Sequence, residues 1–88
     1  MMGKNNTVKE IINVRVNGHL DNWLSCEVSK YYDAGSLHKN SKIYVDDINE
    51  QAMVLKVINK RTEVKGRMDL ITLDVEVEEQ EDDFDLFM

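Results

Sequence analysis

Metal sites and nucleophile–base pairs are built from histidine, cysteine and carboxylate side chains, and this chain offers few of them at a useful spacing. Its two histidines, His19 and His38, fall in segments that read as turns, and its single cysteine, Cys26, alternates with Leu24 and Val28 along an apolar face. The adjacent carboxylates Asp46 and Asp47 have the composition of a turn or helix cap rather than of an acid–base pair. No glycine pattern forms a phosphate loop. The residues therefore predict a non-enzyme that holds no metal and no cofactor.

A second set of residues suits single-stranded nucleic acid. Lys56, Lys60, Arg61, Lys65 and Arg67 crowd one stretch, and Trp23, Tyr31, Tyr32 and Tyr44 are distributed through the chain before it. Cations follow phosphates, and aromatic rings stack on bases for about 1–3 kcal/mol each. The nucleic-acid-binding set read from the sequence is Trp23, Tyr31, Tyr44, Lys56, Lys60, Arg61, Lys65 and Arg67.

The third set lies in the last thirteen residues, Glu76 to Met88, which hold seven carboxylates and no base. The net charge of −6 is thus a property of the tail, because the residues before it carry eleven Lys and Arg against ten Asp and Glu. Dense like charge predicts a disordered acidic tail. A solubilising tail has no need of large apolar residues, yet Phe84, Leu86 and Phe87 stand among the acids. Burying each would contribute ~1.5–3 kcal/mol, less the ordering of the backbone, which predicts micromolar docking on a partner protein.

Asp82-Asp83-Phe84-Asp85-Leu86-Phe87 resembles the acidic tail of bacterial and phage single-stranded DNA-binding proteins, in which a run of aspartates ends in an aromatic. That resemblance implies an OB barrel for the body and a tail that recruits replication and repair proteins and competes with nucleic acid. In this chain Met88 follows the last phenylalanine. Asp83, Phe84, Asp85, Leu86 and Phe87 also look like the pentapeptide Gln-Leu-Ser/Asp-Leu-Phe that docks on bacterial sliding clamps. Asp85, Leu86 and Phe87 match it, while Phe84 replaces the leucine and Asp83 the glutamine.

These residues need elements to position them. Residues 1–6 read as a flexible start, 7–78 as one small domain and 79–88 as the tail. From Thr7, Val8, Ile12, Val14 and Val16 share one parity, a strand with one buried face. Asn17-Gly18 supplies a tight hairpin turn. A second strand is expected from Trp23 to Tyr31, and 33–41 has a loop composition. A third strand covers Ile43 to Val45. Asp46 or Asp47 could cap a helix continuing through Leu55, but Val54, Val57 and Ile58 favour a turn followed by a strand with Met53, Leu55 and Val57 on one face.

Residues 60–67 read as a polar connection. Ile71, Leu73, Val75 and Val77 then alternate with Thr72, Asp74, Glu76 and Glu78, the period of a half-buried antiparallel strand. Five short strands joined in this way predict an all-β chain closed into a small antiparallel barrel, OB-like or SH3-like.

One cysteine excludes an internal disulfide framework, and the longest apolar run, Ala52 to Leu55, is far short of the ~20 residues a membrane helix needs. With no apolar leader segment, the sequence predicts a cytoplasmic protein, or one in a host cytoplasm if phage-encoded. The expected partners are single-stranded nucleic acid and a replication or repair protein, with a homodimer an option at any open strand edge. The rival expectation is a protein-interaction module or inhibitor that docks through its tail without touching nucleic acid.

Overall fold

A computed structural model of the chain describes residues 9–80. Five strands and one helix follow in the order β1 (Lys9–Val16), β2 (His19–Leu20), α1 (Asn22–Tyr31), β3 (Lys42–Asp46), β4 (Ala52–Lys65) and β5 (Met68–Gln80). The strands form a single sheet in the order β2-β1-β5-β4-β3. It is an open sheet with α1 on one face, and not the expected closed barrel. The remaining pairs are antiparallel, but β1 and β5 run parallel, Lys9 opposite Met68 through Val16 opposite Val75. A parallel pair needs a long crossover, which here is the whole of residues 17–67.

The local chemistry accounts for most of the strands. Ile12 and Val14, Ile43 and Val45, Met53, Leu55 and Val57, and Ile71, Leu73 and Val75 alternate with exposed or half-buried neighbours and together line the covered face. Leu24, Val28, Ala34 and Leu37 close the core from above. Val77 holds the right parity but is 41% exposed, because β5 has by then run past Val16, where its pairing with β1 ends. Asn17 and Gly18 both take positive φ (53° and 84°), as a two-residue I′ hairpin turn requires. The stretch 60–67 is not a connection. β4 continues to Lys65 and turns through Gly66-Arg67, where Gly66 has φ 63°.

The stretch expected as a second strand is the helix α1. Asp21 caps it, its Oδ1 accepting the Leu24 N–H at 3.0 Å. Leu24 and Val28 are buried and Tyr32 packs partly against the core, whereas Cys26 is exposed. The apolar spacing is therefore four residues rather than two, so Cys26 does not share the face of Leu24 and Val28.

α1 and its capping residues also bond backbone groups of β1 where the short β2 does not reach and of the edge strand β3, a need that a barrel would have met by closure. At β1, Ser25 Oγ accepts the Val14 N–H (2.8 Å) and donates to Asp21 O (2.7 Å), while Asp21 N–H donates to Val14 O (2.9 Å). At β3, the Tyr32 hydroxyl accepts the Tyr44 N–H (2.9 Å) and donates to Tyr44 O (3.3 Å), as a pairing strand would. Trp23 Nε1 donates to Asp46 O at 3.0 Å. Tyr32→Phe should thus destabilise the protein by about 1 kcal/mol. It should also free the Tyr44 backbone for pairing, giving concentration-dependent dimerisation in sedimentation velocity that the parent chain lacks at the same concentration.

Candidate functional site

The eight residues expected to bind nucleic acid do not form one surface. Tyr44, Lys56, Arg61 and Lys65 share the face of the sheet opposite α1, as their register with Val54, Glu76, Thr72 and Met68 shows. Trp23 and Tyr31 lie on α1, on the other side, although Tyr31 and Tyr44 line one cavity at the end of the sheet. Arg67 is in the β4–β5 turn. The pairing of aromatic and basic residues is therefore split across the molecule. On the open face Tyr44 stands alone as an aromatic, roughly 35 Å along β4 from Lys65 at ~3.3 Å per residue.

Lys60 goes elsewhere. The ladder slips between Val57 and Asn59, so Lys60 pairs with buried Leu73 and turns to the covered face. Its ammonium donates to Ala34 O (2.7 Å) and Leu37 O (2.8 Å), holding the 3-10 turn Ala34–Ser36 and the residue that caps it. This cation is engaged within the protein.

The open face is also mixed in charge. Arg15 faces Asp74 at 3.9 Å and Lys42 meets Glu78 at 3.1 Å, while Lys56 sits opposite Glu76, and Glu63 lies between Arg61 and Lys65. Opposite signs in alternation give little net attraction for a polyanion. His19, Cys26 and His38 are placed on β2, α1 and the loop before β3. Among the described residues no group of three His, Cys, Asp or Glu could hold a metal ion.

A different site stands at the end of the sheet where β3 meets β4 and β5 finishes. A cavity of about 640 Å³ runs along Tyr31, Tyr44 and Val54, and a smaller one of about 240 Å³ lies between Trp23, Leu24 and Ile48. Met53 lines both. The acids Asp21, Glu27, Asp46, Asp47 and Glu79 border these cavities, and neither lining contains a Lys or Arg. Glu27 is buried and paired with Lys30 at 2.9 Å. Sequence reasoning missed this site because its residues come from α1, the β3–β4 turn and the end of β5, which meet only through the β3–β4 and β4–β5 pairings and the docking of α1 on β3.

Asp47 organises this end. Its Oδ1 accepts the N–H of Asn49 (2.8 Å) and of Gln51 (2.9 Å), and its Oδ2 accepts Gln80 Nε2 (2.7 Å). The Gln51 N–H, with help from Asn49 and Gln80, holds the carboxyl below the usual aspartate range. A depressed folded-state pKa contributes stability above the unfolded value of 3.8, and that stability is lost as pH falls through the folded one. Carboxyl-carbon titration by NMR should place the Asp47 midpoint below the ordinary aspartate value of 3.8; a midpoint at that value would mean that the network does not form in solution.

No family model matches the chain, and neither a curated protein nor a solved structure does. No helix among the described residues is long and apolar enough to cross a membrane. The residues of the expected partner-docking set, Asp83, Phe84, Asp85, Leu86 and Phe87, lie outside the described residues.

Proposed function

We infer that this chain is a non-catalytic protein-interaction module that engages a replication or repair protein through Asp83 to Phe87, the sliding clamp being the leading candidate. The observation that carries this reading is the engagement of Trp23 and Tyr32 as caps on the β3 edge and of Lys60 as a clamp on a turn. It gives Trp23 and Lys60 roles within the fold, which supports a reading that does not rest on a shared stacking platform. The supports for the docking segment are the match of Asp85, Leu86 and Phe87 to the clamp pentapeptide and the presence of both phenylalanines of the chain among acids. The aspartates would steer the segment to a basic groove.

A purified bacterial sliding clamp titrated against the fluorescently labelled full chain should bind with a micromolar Kd. Phe84→Ala with Phe87→Ala should weaken that binding at least about tenfold and leave the melting temperature unmoved. An unchanged Kd in the double variant would overturn the assignment. A large drop in melting temperature would show instead that the phenylalanines pack on their own body.

A second reading, single-stranded nucleic acid bound along the open face, is favoured by one observation: Lys9, Arg15, Lys42, Lys56, Arg61 and Lys65 all lie on that face. Five carboxylates interrupt them on the same face, Glu63, Asp74, Glu76, Glu78 and Glu79, which makes it the weaker of the two.

A further inference from the structure

We propose that the paired cavities at the β3–β4 end form one docking groove for a cationic peptide segment that carries a bulky apolar side chain. The inference rests on the protein-interaction reading and names the chemistry of the partner. Three observations carry it.

The floor of the groove is apolar and accessible. Ile48 is 67% exposed at the tip of the β3–β4 turn and Trp23 is 38% exposed on α1; both line the smaller cavity, and Met53, itself buried, lines that cavity and the larger one. Exposed large apolar residues set around a concavity mark an interaction site more often than scattered ones do. The indole of Trp23 is also fixed by its bond to Asp46 O, so its ring is held in place before any ligand arrives, and less ordering is needed on binding.

The rim has one sign. Asp21, Asp46, Asp47 and Glu79 border the groove, no cation lines it, and the nearest lysine on α1, Lys30, is already paired with Glu27. Such a rim attracts a cationic partner and disfavours an anionic one. Residues 81–88, which continue from Gln80 on the groove wall, are a poor occupant for that reason, since Glu81, Asp82, Asp83 and Asp85 repeat the charge of the rim.

The wall is built rather than accidental. Asp47 ties the β3–β4 turn to Gln80 at the end of β5, so two elements distant in sequence are held beside Met53, the partner of Gln80 in the ladder.

The test uses the full chain and three fluorescein-labelled peptides: lysine alternating with leucine, lysine alternating with serine, and glutamate alternating with leucine. Anisotropy should show micromolar binding of the lysine–leucine peptide alone. Ile48→Ser, a change at an exposed turn position, and Asp46→Lys should each weaken it about tenfold. Equal binding of the lysine–serine peptide would reduce the effect to general charge attraction and overturn the proposal, as would an unaffected Ile48→Ser variant or binding of the glutamate peptide.

Tighter binding in the full-length Phe84→Ala, Phe87→Ala variant would mean that residues 81–88 occupy the groove themselves. A parent dimer dissociated by Ile48→Ser would mean that a second copy does. Either result overturns the assignment. Because the groove substitutions leave residues 83–87 intact, loss of peptide binding with clamp binding retained fells the groove alone. The converse pattern fells the docking segment alone.

Discussion

Ser25→Ala is expected to lower the unfolding free energy by about 2 kcal/mol, out of proportion to the single oxygen removed. The hydroxyl is buried, accepts the N–H of Val14 and donates to Asp21 O. Val14 is itself fully buried, and its N–H points away from β5 toward the edge of the sheet, where alanine would leave it with no partner. An unsatisfied buried donor costs about 1–3 kcal/mol, whereas the lost bond alone would cost about 1. Ser29→Ala on the exposed face of α1 is the control and should stay within about 0.5 kcal/mol of the parent. Urea denaturation monitored at Trp23 measures both. Similar values for the two would mean that the edge of β1 is satisfied in some other way.

Lys60→Met should destabilise the protein by about 1.5 kcal/mol, the lower end of the range for bonds from a charged donor because the side chain is half-buried. Ala34 O and Leu37 O lose the ammonium, Ala34 O keeping the Leu37 N–H, while the aliphatic stem keeps its packing. Arg61→Met, one residue further along β4 and on the open face, removes the same charge without removing a structural bond and should be nearly neutral. If Lys60→Met proved as mild as Arg61→Met, the ammonium would not be holding the turn, and Lys60 would return to the pool of cations free to meet a ligand.

The two substitutions mark where sequence reasoning succeeded and where it did not. The strands β1, β3 and β5 and the start of β4 follow from alternation, because each buries one face and exposes the other. The turn at Asn17-Gly18 follows from the positive φ that both residues tolerate. α1 was misread because Leu24, Val28 and Tyr32 are spaced by four, which satisfies a period of 2 as well as one of 3.6. The residue that separates the two readings, Cys26, is apolar enough to fit either. Asp21 was the available signal: an aspartate just before the apolar run is an N-cap.

Lys60 was misplaced for another reason. The bulge after Val57 changes the parity of β4, and a cation that should have faced solvent faces the core side. No feature of residues 57–60 announces that slip. The parallel β1–β5 pair is a long-range property that loop lengths do not report, and with it went the barrel. The docking groove inherits a related difficulty, since Trp23, Ile48, Met53 and Gln80 become neighbours only once β4 has paired with β3 and β5 and α1 has docked against β3. The acidic segment, in contrast, stands out in the sequence alone, because its carboxylates and phenylalanines are contiguous.

The most direct measurement is fluorescence anisotropy of labelled oligo-thymidine against the full chain and against a full-length variant in which Asp82, Asp83 and Asp85 are changed to asparagine. With Trp23 and Tyr32 engaged as edge caps, Lys60 held in the fold and the open-face cations interleaved with carboxylates, neither protein should bind in the low-micromolar range at about 50 mM salt. Tight binding by the asparagine variant, falling steeply as salt is raised, would contradict this account and make the open face a nucleic-acid interface held in check by residues 81–88.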